Sequence, residues 1–308
     1  MRFTLRQLEV FVSVARGENV SRAAEMMNLS QSATSAALAE LEHQFEQQLF
    51  DRSGRRLRLN ERGRLLLPRA VEFLDRAQEI EALLRGERGL GDLRIGATLT
   101  IGNYLLPLIA AGFLQRHPES RVHLLVENTE SVVAKVARYE IDFGLVEGRV
   151  DDPDVEVAEW VGDELSVFCA PTHPLAQRGK ARWEELAGEP WILRERGSGT
   201  RQTLEQALRH QTKAIVPRLE LEHTEAVKRA VESGLGIGCI SRLALRDAFR
   251  RGSLVRIETP DLDLRRKFLF VWHRGKYHTA AIRTFLDDCR ALTGGAGFSH
   301  EIPLPAVP

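Results

Sequence analysis

The sequence is poor in cysteine and has no long hydrophobic run. Its three cysteines, Cys169, Cys239 and Cys289, lie far apart in 308 residues and form no C-x-x-C pair. This argues against a disulfide scaffold and a zinc site, and it is typical of a reducing cytosol. The longest nearly apolar stretch, 105–114, is too short to span a bilayer, and the N-terminus lacks the apolar run of a signal peptide. We expect a cytoplasmic protein of about two domains, without a membrane segment, metal ion or other cofactor.

An excess of either charge is also absent, since 43 Lys and Arg side chains balance 43 Asp and Glu side chains. No global field draws the protein to nucleic acid, so a nucleic-acid-binding role has to depend on a local patch. One stretch is locally basic, with one acidic residue against six arginines: Arg52, Arg55, Arg56, Arg58, Arg62 and Arg64. Ser53 and Gly54 indicate a turn, and 56–59 alternates polar and apolar residues, so we predict a basic β-hairpin. The alternative is a solvated charged face.

The first 60 residues favour short helices. The apolar residues of a first amphipathic helix recur at spacings of three and four: Leu5, Leu8, Val12 and Ala15. Gly17 lies just beyond it, in the position of a C-cap glycine. Ser21 and Ser30 are predicted N-caps of helices over 22–28 and 31 to about 47, separated by a tight turn. Two such helices form a helix-turn-helix, and a basic hairpin after it is a wing that lies against phosphates. The alternative is another small helical bundle.

Residues 61–88 predict one long helix. Its apolar residues are spaced alternately by four and three and form an a/d seam: Leu66, Ala70, Phe73, Ala77, Ile80 and Leu84. Pro68 lies in the second turn and is expected to bend the helix. A lone helix with such a seam needs a partner, and a second copy of the chain is the simplest one. The glycines of 86–91 then predict a hinge.

From Leu93 onward the pattern alternates between strands and helices. The predicted strands are 93–97, 121–126, 141–146, 165–170, 191–193, 219–221, 237–241 and 268–272, and the predicted helices are 101–115, 130–138, 201–209 and 226–232. This alternation indicates a mostly parallel sheet covered on both faces, as one large sheet or as two small lobes. Residues 293–308, rich in Gly and Pro, predict a flexible tail.

Five short segments resemble the signature of LysR-type transcriptional regulators: SRAA at 21–24, LSQSATS at 29–35, LE at 41–42, LFDR at 49–52 and LNERG at 59–63. The similarity extends to about residue 292. It implies an N-terminal all-α winged helix-turn-helix with a long linker helix, followed by a C-terminal α/β effector domain of two lobes, similar to a periplasmic binding protein.

The resemblance also implies domain boundaries and partners. The implied units are a DNA-binding domain at 1–60, a linker helix and hinge at 61–90, an effector domain at 91–292 (lobe I 91–162 and 268–292, lobe II 163–267) and a tail at 293–308. The chain would cross between the lobes near 162–164 and 265–268. The implied partners are double-stranded DNA at pseudo-palindromic promoter sites, a small effector, RNA polymerase, and further copies of the chain in a dimer through 61–88 and a homotetramer. Such a protein is associated with the bacterial nucleoid.

Two groups of residues are predicted to contact DNA. Helix-turn-helix proteins insert the first turn of the second helix into the major groove, where this chain has Gln31, Ser32, Thr34 and Ser35. Gln31 is suited to a bidentate contact with adenine, whereas Thr34 stands where the family usually has an apolar residue. Phosphates or the neighbouring minor groove would be contacted by Arg52, Arg55 and Arg56. The alternative for Gln31 and Ser35 is a helix cap or a solvated polar residue.

Small hydroxyl residues at βα junctions predict an effector site. The candidates are Thr98, Thr100, Asn128, Thr129, Glu147, Ser198, Thr200 and Arg201. Helix starts bind small anions, and ligands of open α/β sheets lie beyond the carboxyl ends of strands, so we predict an oxyanion or carboxylate between the lobes. The alternative is that these residues are ordinary N-caps.

Three segments of the same region carry a finer resemblance. The segments 98–107, 146–148 and 194–201 resemble regulators of sulfur assimilation and carbon fixation, which implies a sulfur oxyanion or a phosphorylated metabolite. Glu147 and Glu195 complicate this prediction, because a carboxylate repels an anion unless it is paired.

Two other classes of function are alternatives to a DNA-binding regulator. An enzyme is disfavoured because the sequence has no G-x-x-x-x-G-K-[ST], G-x-S-x-G or H-E-x-x-H motif, and we predict no catalytic residue. A cytosolic small-anion-binding protein without sequence-specific DNA function accounts for residues 93–292. It leaves the arginines of the hairpin and the heptad seam without a role, so the sequence favours a regulator.

Overall fold

The computed structural model describes residues 2–53, 56–85, 90–211 and 215–304. Its N-terminal domain consists of helices α1 (Leu5–Gly17), α2 (Val20–Met26) and α3 (Gln31–Gln44) and an antiparallel hairpin of β1 (Phe50–Ser53) and β2 (Arg56–Leu59). The apolar faces of these elements enclose one core, in which the rings of Phe11 and Phe50 meet with centroids 5.8 Å apart. The predicted winged helix-turn-helix is confirmed.

The caps of α2 and α3 agree only in part with the sequence prediction. Ser30 caps α3, since its hydroxyl accepts a hydrogen bond from the amide of Ala33 at 3.1 Å. The cap of α2 is Asn19 and not Ser21, because the Asn19 side chain accepts from the amide of Arg22 at 3.0 Å. The helix therefore begins at Val20, two residues earlier than predicted.

The end of α1 also differs from the prediction. Gly17 is the last residue of the helix, and the left-handed residue after it is Glu18, with a φ of 46°. The Glu18 carboxylate accepts a hydrogen bond from the amide of Leu59 at 2.9 Å. This bond fastens β2 to the end of α1 and explains why a glutamate stands where a glycine is favoured.

The predicted long helix is α4 (Glu61–Arg85), and it continues through Pro68. Its N-terminal half packs on the N-terminal domain through Leu67, Ala70 and Val71, which are buried. One face of its C-terminal half is exposed, and the exposed fractions are 41% for Phe73, 58% for Ile80, 78% for Leu83 and 82% for Leu84. The outer half of the seam thus has no apolar cover within the described part of the chain. The predicted hinge residues 86–89 lie outside the described residues.

The remainder is an α/β unit built on strands in the order β4-β3-β5-β11-β6-β9-β7-β8, with β10 beside β6. In chain order its elements are β3 (Asp92–Thr98), α5 (Leu99–Tyr104), α6 (Leu106–Arg116), β4 (Arg121–Glu127), α7 (Thr129–Ala137), β5 (Phe143–Glu147), β6 (Val155–Cys169), α8 (Pro174–Arg178), α9 (Trp183–Leu186), β7 (Trp191–Arg194), α10 (Gly199–Ala207), β8 (Pro217–Leu221), α11 (Thr224–Glu232), β9 (Ile237–Ser241), α12 (Arg242–Arg251), β10 (Val255–Ile257), β11 (Arg265–His273), α13 (Ala280–Leu292) and a 3-10 turn (Ser299–Glu301). The predicted helix over 101–115 is in fact two helices, α5 and α6, that meet at Leu105.

Two long antiparallel strands, β6 and β11, divide this unit into two lobes. The first half of β6 pairs with β11 in lobe I, and its second half pairs with β9 and β10 in lobe II. Each lobe has its own core: lobe I buries Phe113, Phe143 and Phe285, and lobe II buries Trp183 and Trp191. The chain passes between the lobes at 162–164 and 265–267, where β6 and β11 lie side by side.

The end of the described chain corrects one prediction. A flexible tail was expected over 293–308, but Ser299 and Ile302 are buried, and Phe298 forms an isolated parallel bridge with Gly162 of β6. The Gly and Pro content of this segment predicted a tail, because the residues that bury Ser299 and Ile302 are distant in sequence. Residues 305–308 lie outside the described part. None of the helices within the described ranges is long and apolar enough to cross a membrane.

Candidate DNA-binding surface and effector site

The first turn of α3 lies at the surface of the N-terminal domain. Gln31, Ser32 and Ser35 are exposed there, and the hydroxyl oxygens of Ser30 and Ser32 are 3.0 Å apart. The free backbone N–H groups of a helix start also bind phosphate. Hydrogen-bonding side chains and a positive helix end thus share one surface, as entry into the major groove requires.

The prediction that Thr34 contacts DNA is wrong. This residue is fully buried, with 0% of its surface exposed, and its hydroxyl donates to the carbonyl oxygen of Ser30 at 3.1 Å. Thr34 therefore fills the inward position that is usually apolar, and it satisfies its own hydroxyl within the helix.

The hairpin and the helix after it present arginines to solvent. Arg52 and Arg58 are exposed, and the nearest acidic oxygen to Arg52 is a carboxylate oxygen of Glu42 at 3.8 Å. A pair this long and this exposed contributes little free energy, so it leaves Arg52 available to a phosphate. Arg55 and the side chain of Arg56 lie outside the described residues, and their predicted contacts stay predictions.

The predicted effector residues gather where the two lobes meet, and the hydroxyl residues among them are buried: Thr98, Thr100, Thr129, Ser198 and Thr200. The Thr129 hydroxyl joins the lobes directly, because it donates to the carbonyl oxygen of Glu147 at 2.8 Å and accepts from the amide of Gly199 at 3.1 Å. A Cβ at Gly199 would lie 1.9 Å from that same carbonyl oxygen. Only glycine allows the start of α10 to approach the end of β5 this closely.

A buried charged group lies beside this junction, and its central member is Arg266 of β11. The Arg266 Nε donates to the Asp163 carboxylate at 2.7 Å, and its Nη1 donates to the Thr200 hydroxyl at 3.1 Å. The same Nη1 is 3.7 Å from a carboxylate oxygen of Glu147. Its other terminal nitrogen, Nη2, is buried and has no hydrogen-bond partner among the described residues.

Glu147 resolves the repulsion that the sequence suggested. Its carboxyl group is buried, accepts a hydrogen bond from the Thr98 hydroxyl and faces Arg266. Burial raises the pKa of Glu147, against the opposing effects of Arg266 and Thr98. Arg266 and Thr98 also compensate the charged form of this carboxyl group, so Glu147 is not an unpaired negative charge at the junction.

Two predicted effector residues, Asn128 and Arg201, have other roles than contact with a ligand, and the second carboxylate that complicated the prediction, Glu195, is paired. Asn128 is the N-cap of α7, since its side-chain oxygen accepts from the amide of Ser131 at 3.0 Å. Arg201 points into lobe II, where its Nε donates to Glu205 at 2.6 Å. Glu195 is neutralised by Arg194, which binds it through two nitrogens at 2.7 and 2.8 Å.

The sequence reasoning missed Asp163 and Arg266. Both lie in the segments where the chain was expected to cross between the lobes. That position is the feature of the sequence that could have identified them as functional residues. Arg266 also lines an open cavity of about 1090 Å³, together with Thr129 and Gln202. The lining residues of this cavity come from both lobes and from β11.

A winged helix-turn-helix with an exposed helix start and exposed arginines, joined to two lobes around a buried polar centre, defines a DNA-binding protein with a ligand-sensing domain. Two family models match it: "Bacterial regulatory helix-turn-helix protein, lysR family" over residues 5–64 and "LysR substrate binding domain" over residues 86–293. The chain belongs to the LysR family of DNA-binding transcriptional regulators.

Relatives of known description agree with this assignment. A relative described as the uncharacterized HTH-type transcriptional regulator YeiE of Escherichia coli (strain K12) is 45% identical, over 94% of this chain and 98% of its own. A RuBisCO operon transcriptional regulator of Allochromatium vinosum is 34% identical, over 93% and 95%. The solved regulatory domain of CcmR from Synechocystis, in complex with 2-PG, is 28% identical with a TM-score of 0.62, over 67% of this chain and 99% of that chain. The predicted similarity to carbon-fixation regulators is confirmed.

Proposed function

We propose that this regulator binds a small oxyanion, a sulfur oxyanion or a phosphate ester, at the junction of its lobes. The observation that carries the proposal is the buried Nη2 of Arg266, which has no hydrogen-bond partner among the described residues. A buried guanidinium nitrogen left unpaired is costly, and an oxyanion relieves that cost with a charge-assisted hydrogen bond. The CcmR domain in complex with 2-PG supports an anion as the ligand class.

Three hydroxyl groups are suited to complete the site. The Thr200 hydroxyl oxygen already accepts a hydrogen bond from Arg266, so its position relative to the guanidinium is fixed. Ser198 stands at the N-cap of α10 without a side-chain capping bond, and Thr100 lies in the first turn of α5. In this proposal the two hydroxyl groups and the dipole of α10 complete the site around the anion.

The N-terminal domain contacts DNA, and the exposed seam of α4 pairs with the same seam of a second chain. In this proposal residues 1–60 bind DNA, 61–90 link and dimerise, and the chain from 91 onward senses the effector. A dimer, or a tetramer of two dimers, reads pseudo-palindromic half-sites in the cytoplasm, at the nucleoid. The effector favours one lobe arrangement and so changes the geometry of bound DNA and its contact with RNA polymerase. Regulation, and not catalysis, is the activity.

Thermal unfolding of the full-length protein tests the effector proposal. The probes are sulfite, sulfate, thiosulfate, phosphate and 2-phosphoglycolate, each over a range of concentrations. A probe at 100 times its Kd stabilises the protein by about 2.7 kcal/mol, which raises the Tm by several degrees. Thr100→Ala and Ser198→Ala should reduce the rise, whereas Ser233→Ala, at the end of α11, should not. The proposal is wrong if none of these anions raises the Tm.

A further inference from the structure

We propose that the C-terminal segment 298–302, called the strap below, positions Arg266 for the effector by fixing Asp163. This inference rests on the proposed function, because it assigns a role in effector binding to residues far from the ligand. Ser299 is the positioning residue of the strap. It acts through Asp163 and does not touch the ligand site itself.

The strap is anchored to both lobes. Ile302 belongs to the core of lobe I, and its carbonyl oxygen accepts a hydrogen bond at 2.9 Å from Arg246 of α12. Phe298 forms a bridge with Gly162, at the point where β6 leaves lobe I. Glu301 accepts hydrogen bonds from the amides of Gly297 and Phe298 at 3.0 and 2.9 Å, which hold the strap in its turn. The strap therefore spans the crossover and is not a loose end.

The crossover and the strap fit closely at Gly162. A Cβ at this position would lie 2.5 Å from the carbonyl oxygen of Gly297 and 3.2 Å from the ring of Phe298. Any side chain at residue 162 therefore pushes the strap away from β6. Gly162→Ala displaces the strap without removing any polar group of the site.

Asp163, the next residue, is where the strap meets the buried charges. It is fully buried, and its Oδ1 accepts from the hydroxyl groups of Ser299 at 2.5 Å and Ser241 at 2.6 Å. Its Oδ2 accepts from the Nε of Arg266 at 2.7 Å. Ser299 supplies one of the two hydroxyl donors to Oδ1, so its loss leaves Ser241 as the remaining donor there and loosens the group that orients Arg266.

Arg266 carries the effect of the strap to the effector site. With Nε held by Asp163, its planar guanidinium places Nη1 on Thr200 and leaves Nη2 for the ligand. A guanidinium held in its binding orientation binds an anion more tightly, because less conformational freedom is lost on binding. The sequence of contacts from Ser299 through Asp163 to Arg266 thus couples the strap to ligand affinity.

The first test needs no ligand. Amide hydrogen exchange is measured by mass spectrometry on the full chain, on peptides that cover 160–166 and 264–268. Ser299→Ala and Gly162→Ala should both accelerate exchange in these peptides relative to the unmodified chain. The matched control is Ser233→Ala, whose hydroxyl donates to a backbone carbonyl in lobe II at 2.8 Å. Unchanged exchange in both strap variants overturns the proposal.

The second test measures affinity for 2-phosphoglycolate and inorganic phosphate by the concentration dependence of the Tm. Ser299→Ala should weaken binding about tenfold, as expected for one hydrogen bond to a charged group. In an Arg266→Lys background the same change should have little further effect, because the orienting bond from Nε to Asp163 is already absent. Equal affinities in the unmodified chain and Ser299→Ala overturn the positioning role. If no anion binds the unmodified chain, the proposed function fails, and the exchange test still decides whether the strap fixes the crossover.

Discussion

Three polar side chains, those of Thr34, Asp163 and Arg266, are buried and find their hydrogen-bond partners inside the fold. Thr34 satisfies its hydroxyl on the Ser30 carbonyl and faces inward, although its neighbours on α3 face the solvent. Asp163 and Arg266 are charged, yet both are buried. Residue type alone favours exposure for all three, so only their tertiary partners reveal their roles.

At the residue scale, Gln31→Ala should weaken binding to a DNA site selected from a random library. A bidentate contact to a base discriminates by about 1–3 kcal/mol, so about a tenfold loss is expected at fixed salt. Affinity for scrambled DNA should stay nearly unchanged, because phosphate contacts supply it. Gln44→Ala, at the far end of α3, is the control, and fluorescence anisotropy is the measurement. Equal losses on both DNAs would contradict the base contact.

The raised pKa of Glu147 predicts how the free energy of unfolding depends on pH. Burial raises the pKa of Glu147 in the folded protein, so between its ordinary and raised values the folded state binds more protons than the unfolded state. The free energy of unfolding therefore falls as pH rises through that window. Glu147→Gln should reduce the difference between the free energies of unfolding at about pH 5 and at about pH 8, both measured by urea titration. The same pH dependence in both proteins would assign it to another group.

At the scale of elements, the fully buried strands could be predicted from the sequence, whereas the first half of β6 and the strap could not. Strand β9 was predicted over its full length, and β7 to within one residue, because buried apolar runs are local signals. β6 begins at Val155, ten residues before the predicted start, since Glu156, Glu159 and Glu164 interrupt the apolar run ahead of residue 165. The strap was predicted as a tail because its cover comes from α12 and β6, far away in sequence.

The exposed half of α4 makes the element-scale prediction. Ile80→Asp places a charge in the seam that is exposed in one chain, so it should weaken self-association about tenfold or more in sedimentation velocity experiments. Gln78→Asp, exposed on the same helix but outside the seam, should leave association unchanged. If both variants sediment as the unmodified chain does, dimerisation uses another surface.

At the scale of the whole molecule, one lysine fastens the linker helix to lobe I. The Lys276 ammonium group is nearly fully buried and binds Asp75 of α4 at 2.8 Å and Asp142 of lobe I at 2.9 Å. Burial raises the pKa of Asp75, while Lys276 opposes that rise. This contact is a direct polar link from lobe I to the helix that carries the DNA-binding domain, beside the hydrogen bonds of Tyr277 and Ala280 to Glu79 of α4.

Lys276→Met should therefore destabilise the chain by about 3 kcal/mol, because it leaves two partly buried carboxylates without their cation. Urea unfolding is the measurement, and Asp75→Asn in the same background should restore part of the loss. Lys135→Met removes a surface pair with Glu127 and should cost less than about 1 kcal/mol. A small effect of Lys276→Met, similar to that of Lys135→Met, would show that other contacts hold α4 on lobe I.

The position of the strap has a consequence for how the chain is made. Asp163 obtains its hydrogen-bonding partners from residues 241, 266 and 299, so its carboxylate stays unsatisfied while most of the effector unit is being translated. A ribosome adds about 5–20 residues per second, and the N-terminal domain can fold during that time. The lobes, by contrast, reach their final arrangement only after Ser299 and Ile302 have left the exit tunnel. A nascent chain can thus fold its DNA-binding domain before the strap can bind Asp163 and complete the effector domain.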